Sequence, residues 1–270
     1  MIFPSDVRAL LEQTSGLKQA AADISLRYRT GRDKSLKTAT EAAAYAATRM
    51  PATFGAVGRA LELTLETLET PPETVLDVGA GTGAATLAAQ QMLNLKSAVC
   101  LESAAVMREL GQKLVKANWR AFDVMADELT ETADLVIASY MLNEVSDPIF
   151  AARKLWNATD SVLLIVESAL PEAVALLQKI RADLVDVHDG QVQNPNRGQH
   201  DFIRLGEVDF GAVEHIENAL RGGKIVHARL LLRDGLRQFR QVFAQEADDA
   251  QIVDGFKRGI DHIGGAALIV

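Results

Sequence analysis

Residues 74–84 read TVLDVGAGTGA, in which an acidic residue, Asp77, closes an apolar run and three glycines, Gly79, Gly81 and Gly83, follow at every second position. Glycine has no Cβ, so such a turn can bend tightly and bring backbone N–H groups close to a ligand. Residues 74–76 predict a short buried strand and residues 84–93 (AATLAAQQML) a helix, which puts the glycines in a strand-to-helix turn. The chemistry of that arrangement is binding of a nucleotide-type cofactor, and Asp77 discriminates between ligands. A dinucleotide turn points a helix N-terminus at a pyrophosphate, and a carboxylate beside it would repel that charge. S-adenosylmethionine (SAM) has no phosphate and carries a sulfonium cation, which a carboxylate suits. Residues 79–84 also satisfy the dinucleotide pattern GxGxxG/A, so a nicotinamide oxidoreductase stands as a distant alternative.

More acidic residues recur where strands should end. Residues 97–101 (SAVCL) predict a second strand ending at Glu102, residues 119–122 a third ending at Asp123, residues 134–139 a fourth ending at Ser139, and residues 162–166 (VLLIV) a fifth ending at Glu167. Helices are expected at residues 104–117, 149–156 and 172–184. Strands alternating with helices imply an α/β fold with a parallel, doubly wound, Rossmann-like sheet. Ligands of such sheets bind beyond the carboxyl ends of the strands. Glu102 is therefore a candidate acceptor for ribose hydroxyls, and Asp123 a candidate partner for an adenine amino group. Asp77, Gly79, Gly81 and Gly83 are assigned to the methionine end, with Ala80, Ser103, Val124 and Ser139 completing the cofactor-binding set. The alternative for the carboxylates is helix capping beside a positive dipole end.

Residues 5–70 look helical, with apolar positions including Val7, Leu17, Ile24 and residues 42–47. Pro51 is expected to start a separate helix over 52–68, since proline fits a first turn, and Pro71-Pro72 to end it. The chain thus divides into an N-terminal helical cap, residues 1–72, and a SAM-binding domain with C-terminal helices, residues 73–270. Residues 185–204 read as a polar surface excursion, 224–232 as a late strand, and 236–244 and 252–263 as amphipathic helices.

With 270 residues, 48% hydrophobic and 24% charged, the chain can bury a substantial core. It has no apolar run long enough to span a membrane and no secretory signal pattern, so the expected address is cytoplasmic. The single cysteine, Cys100, excludes internal disulfides and cysteine-cluster metal sites. His188 and His200, each followed by Asp, lack a third convincing ligand, and no metal is expected. The net charge of −8 argues against general nucleic-acid binding, yet the basic segments 18–37 and 221–240 flank an acidic middle and could neutralise phosphates. Methyl transfer asks mainly that donor and acceptor be held in line. A C5-pyrimidine acceptor needs a cysteine nucleophile, which Cys100, upstream of Glu102, is not placed to be. The loop after the fourth strand, Ser139-Tyr140-Met141-Leu142, is not an Asn-Pro-Pro-Tyr type of amine-binding loop. Asn143 and Glu144 remain as acceptor-side candidates or as a polar start to the next helix.

The acidic glycine loop with Glu102 and Asp123 resembles SAM-dependent methyltransferases of the Rossmann-like class. Residues 24–29 (ISLRYR), 44–54 (AYAATRMPATF) and 139–144 (SYMLNE) more closely resemble the methyltransferase-like family associated with the small ribosomal subunit of mitochondria and bacteria. The resemblance covers roughly residues 17–182. It implies a SAM-binding protein that methylates RNA of the small ribosomal subunit or assembles that subunit without catalysis; a small-molecule methyltransferase is the other alternative. Members of that family commonly carry a cysteine cluster associated with an iron–sulfur centre, whereas the corresponding stretch around His188, Asn194 and His200 has no cysteine.

Overall fold

The apolar runs that precede the acidic strand ends form the centre of one sheet. The structure, a computed structural model, describes residues 14–30 and 35–187, the positions Pro4, Ser5, Val7 and Ala9, and two further strands. The strands are β1 (Thr74–Val78), β2 (Ser97–Leu101), β3 (Asn118–Arg120), β4 (Ala133–Ser139), β5 (Thr159–Ser168), β6 (Val208–Asp209) and β7 (Gly265–Ile269). Their spatial order is β3-β2-β1-β4-β5-β7-β6. β1 to β5 pair in parallel, while β7 runs antiparallel to both β5 and β6. Strand order reverses between β1 and β4, the position at which an open sheet leaves a crevice for a ligand.

Helices α1 (Leu17–Arg29), α2 (Ala39–Leu65), α3 (Ala84–Met92), α4 (Ala105–Leu114), α5 (Pro148–Asn157) and α6 (Pro171–Arg181) surround the sheet. Side chains alternate between faces along each strand. Val75, Leu135, Ile137, Leu164 and Val166 therefore share one core with α2 and α3, through Met50, Phe54, Val57, Ala85 and Ala88. Leu76, Val136, Ala138, Leu163 and Ile165 form the other core with α5 and α6, through Leu155, Trp156, Leu177 and Ile180. The same alternation decides where the polar strand ends point. Asp77 follows Val75 onto the α3 face, and Glu167 follows Ile165 onto the opposite one.

The expectation of a helix break at Pro51 is corrected: α2 runs through it as one 27-residue helix. A proline inside a helix removes one backbone hydrogen bond and costs about 3 kcal/mol. Here the stripe Ala46, Met50, Phe54, Val57 and Leu61 keeps its helical spacing across the proline and buries onto one core, which outweighs that loss. Pro51→Ala restores an N–H for the Ala47 carbonyl and is expected to stabilise the protein by about 1–2 kcal/mol, less than the full proline cost because the unfolded chain also gains freedom. A higher urea midpoint at unchanged slope is the result that checks it.

Smaller differences have local causes. α4 stops at Leu114, not 117, because Val115 turns extended, buries, and accepts a hydrogen bond from Trp119 Nε1 at 3.1 Å. β3 is only three residues long, since the chain leaves the ladder for a turn in which Asp123 Oδ1 accepts from Met125 N–H at 2.9 Å. α6 gives way after Arg181 to a π-helical turn, Ala182–Val187. β7 was not expected from its Gly265-Ala266-Ala267 start, residues with low strand propensity. The strand expected at 224–232, the helices at 236–244 and 252–263, and His188, Asn194 and His200 lie outside the described residues.

Candidate cofactor site

A cavity of about 410 Å³ opens at the carboxyl ends of β1, β2, β3 and β4. That volume is in the usual range for a small-ligand site. Its wall includes Gly79, Ala80, Gly81, Glu102, Ser103, Asp123, Val124, Ser139 and Glu144, all singled out from the sequence. Asp77, Gly83 and Asn143 are not on it.

The glycine turn owes its shape to three positive φ angles, 68° at Gly79, 57° at Gly81 and 87° at Gly83. The turn is pinned to β2, for Gly79 N–H and Ala80 N–H both donate to Leu101 O, at 2.9 and 3.0 Å. Gly81 N–H donates to Glu102 Oε2 at 2.8 Å, while Glu102 Oε1 accepts from Ala104 N–H at 2.7 Å. Glu102 is therefore buried and fixed in rotamer, with lone pairs remaining on both oxygens for a ligand. Gly83 stands behind the turn, where a Cβ would lie 2.9 Å from Val115 Cγ2 and 3.0 Å from Trp119 Cζ2.

Asp77 is wholly buried and holds the turn from below. Its Oδ2 accepts from Thr86 N–H at 3.1 Å and from Thr86 Oγ1 at 2.8 Å, which ties the end of β1 to the first turn of α3. Oδ1 has no partner among the described residues. Burial raises the Asp77 carboxyl to about 6, against the lowering effect of the Thr86 bonds. Burial and the neighbouring Asp77 push the Cys100 thiol up as well, which makes it a poor nucleophile.

The loop after β4 carries the acceptor-side candidates. Tyr140 adopts φ 57°, uncommon for a bulky residue, and lines the cavity with Met141. Burial raises its hydroxyl to about 12. Behind this loop Glu167 is fully buried, and its Oε1 accepts from Leu142 N–H at 2.8 Å and Asn143 N–H at 3.4 Å. Asn143 is thus held by its backbone in a 3-10 turn (Leu142–Glu144) while Glu144 reaches the wall. Burial raises Glu167 to about 7. Sequence reasoning missed Ser35, Leu36, Tyr45, Met50 and Thr53, which reach the cavity from the N-terminal helical segment. The available signal was the run 44–54, which stood out for its family resemblance alone.

Raised carboxyls give stability a definite pH sign. The folded state holds a proton at Asp77 between pH 3.8 and about 6, where the unfolded chain has released it, so this contribution falls as pH rises through that window. Glu167 acts the same way between 4.5 and about 7. Asp77→Asn keeps an amide oxygen for Thr86 and removes the desolvated charge. Raising a carboxyl from 3.8 to about 6 is worth about 3 kcal/mol. The new amide N–H₂ also lacks a partner, so the expected gain at pH 7 is about 1–2 kcal/mol. Urea melts at pH 4 and pH 7 check it: the gain should appear at pH 7 and turn into a small loss at pH 4, where Asp77 is already protonated in the folded protein and only the unpartnered amide remains.

The family described as mitochondrial small ribosomal subunit Rsm22 matches residues 39–200, well over half of the chain. The chain belongs to the Rsm22 family. The Rsm22 match begins at the start of α2 and takes in the whole parallel part of the sheet. The human protein named ribosome assembly protein METTL17, mitochondrial, is 29% identical over 159 residues, which are 52% of this chain and 34% of the human one. The chain thus spans about a third of that relative's length. Among solved structures, the plantazolicin methyltransferase BpumL in complex with S-adenosylhomocysteine (SAH) superposes with a TM-score of 0.51 over 97% of this chain and 98% of that one, at 12% identity. This Rsm22 member has the Rossmann-like fold of SAM-dependent methyltransferases. No helix among its described residues is long and apolar enough to cross a membrane.

Proposed function

We propose that this Rsm22-family protein binds SAM and transfers its methyl group to RNA of the small ribosomal subunit. The observation that carries the cofactor half is the cavity at the β1/β4 reversal, where a Cβ-free glycine turn faces Glu102, Asp123 and Glu144 and no lysine or arginine lines the wall among the described residues. Such a wall favours a ligand of net positive charge without phosphates, as SAM is at neutral pH, over a dinucleotide. In this reading the backbone of Gly79, Ala80 and Gly81 borders the methionine end, Glu102 with Ser103 takes the ribose, and Asp123 with Val124 takes the adenine. Asp77 and Gly83 shape the turn without touching the ligand, Ser139 borders the methyl group, and Asn143 and Glu144 face the acceptor. Residues 1–72 act as a helical cap on a SAM-binding domain spanning 73–270.

The ribosomal half rests on family membership and on the human relative named for ribosome assembly. The basic segments 18–37 and 221–240 are the proposed RNA contacts, and the cytoplasm the proposed address. A second reading, a SAM-binding assembly factor that transfers nothing, is favoured by that relative's name and by the lack of an amine-binding loop after β4.

Labelled methyl transfer from SAM to a size-fractionated lysate of cells lacking the protein tests the proposal. Label in small-subunit RNA with the wild type, lost with Glu102→Ala, is the expected result. Label confined to small molecules moves the activity to a different substrate class, and SAM binding with no label anywhere establishes the assembly factor.

A further inference from the structure

Ser35 and Leu36 line the cofactor cavity yet belong to no helix. They lie in the segment 35–38 that leads into α2, and one ion pair gathers that segment. From α1, Arg27 Nη1 donates to Ser35 O at 2.9 Å, and Nη2 donates to Glu41 Oε1 at 2.6 Å. The other carboxylate oxygen, Glu41 Oε2, accepts from Lys37 N–H at 2.7 Å and Thr38 N–H at 3.0 Å. Thr38 Oγ1 completes the capping box by accepting from Glu41 N–H at 3.1 Å. Both side chains are partly sheltered, at 21% and 22% exposure, so the pair is screened less than a fully exposed one. The backbone N–H groups of Lys37 and Thr38, with Arg27, hold the Glu41 carboxyl below its ordinary value.

A capping box alone would need only Thr38 and Glu41. The additional reach of Arg27 to the Ser35 carbonyl fixes the part of the segment that meets the cavity, and a guanidinium is the side chain whose planar fork can serve a carbonyl and a carboxylate at once. We propose that the Arg27–Glu41 pair is a positioning device that holds residues 35–38 as a strap across the cofactor site, so that Arg27 sets SAM affinity without touching SAM. The inference rests on the SAM reading above. It joins residues 24–29 and 44–54 in one role, for Arg27 anchors the strap while Tyr45, Met50 and Thr53 line the same cavity from α2. A strap ordered before binding spares the ligand the cost of ordering it.

SAM titration calorimetry on the full chain, with backbone hydrogen exchange at residues 35–38 in the presence and absence of SAM, tests the strap. Arg27→Gln is expected to bind SAM roughly tenfold more weakly. Its Lys37 and Thr38 amides should exchange faster than in the wild type, at a melting temperature close to that of the wild type. SAM should slow exchange at these amides in the wild type. Arg27→Gln binding SAM as tightly as the wild type, or SAM leaving exchange at residues 35–38 untouched, overturns the inference while the SAM reading survives. A wild type that binds no SAM removes both. If Arg27→Gln melts far below the wild type, Arg27→Lys decides. It keeps the charge and the stem but cannot bridge Ser35 and Glu41 together, so wild-type affinity in that variant also overturns the strap.

Discussion

Gly83→Ala is expected to cost about 2–5 kcal/mol of stability. Two terms combine. At φ 87° the position lies in the left-handed region, which costs a residue with a Cβ about 1–2 kcal/mol. The new methyl also falls 2.9 Å from Val115 Cγ2 and 3.0 Å from Trp119 Cζ2, and overpacking of that kind costs about 1–3 kcal/mol. Neither neighbour yields easily, because Val115 is buried and Trp119 is fixed by its bond to the Val115 carbonyl and by stacking over Gly111. Gly81→Ala is the control. Its φ of 57° carries the same backbone cost, but its Cβ meets nothing closer than Met107 Cε at 3.5 Å. Urea unfolding should therefore rank the variants wild type, Gly81→Ala, Gly83→Ala in falling stability, and equal losses in the two would show that packing behind the turn contributes nothing.

Glu102→Ala is expected to weaken SAM binding by about 1–3 kcal/mol, the usual cost of leaving buried polar partners unpaired. That loss has two sources. In the proposed reading the ribose loses its acceptor, and the Gly81 and Ala104 N–H groups, which the structure shows donating to Glu102, lose theirs, so the turn also loosens. Glu102→Gln separates the two, for an amide oxygen can replace one acceptor but not both. Equilibrium dialysis with labelled SAM should place Gln between the wild type and Ala. Unchanged affinity in Glu102→Ala would remove Glu102 from the site.

Much of this was legible in the sequence where local chemistry and period agreed. The run 74–84 marked strand, turn and helix start because apolar residues, an acidic stop and glycines fall in register with a strand-to-helix turn. That Glu102 and Asp123 line the cavity was legible because open α/β sheets leave their crevice at the carboxyl ends of the strands. The role of Asp77 was not legible: residue type says carboxylate, but only the strand alternation carried through three dimensions turns it onto α3 and Thr86, away from the cavity wall. Pro51 misled for a related reason. Its local effect is to break a helix, and the stripe from Ala46 to Leu61 that keeps α2 whole depends on a core formed with strands far along the chain. Ser35, Leu36 and Tyr45 were hidden because no residue type announces that a segment forty residues upstream folds back over a glycine turn. The same distance hid β7, whose partner β5 lies about a hundred residues before it in sequence.

Selection of SAM over a dinucleotide by the acidic wall of the cavity, Glu102, Asp123 and Glu144, underlies every cofactor assignment proposed at this site. Paired calorimetric titration of the full chain, with SAM and with a nicotinamide dinucleotide, tests it without an intermediate step. One-to-one binding of SAM with no detectable heat from the dinucleotide is the expected result. Saturable binding of the dinucleotide with none of SAM would contradict it.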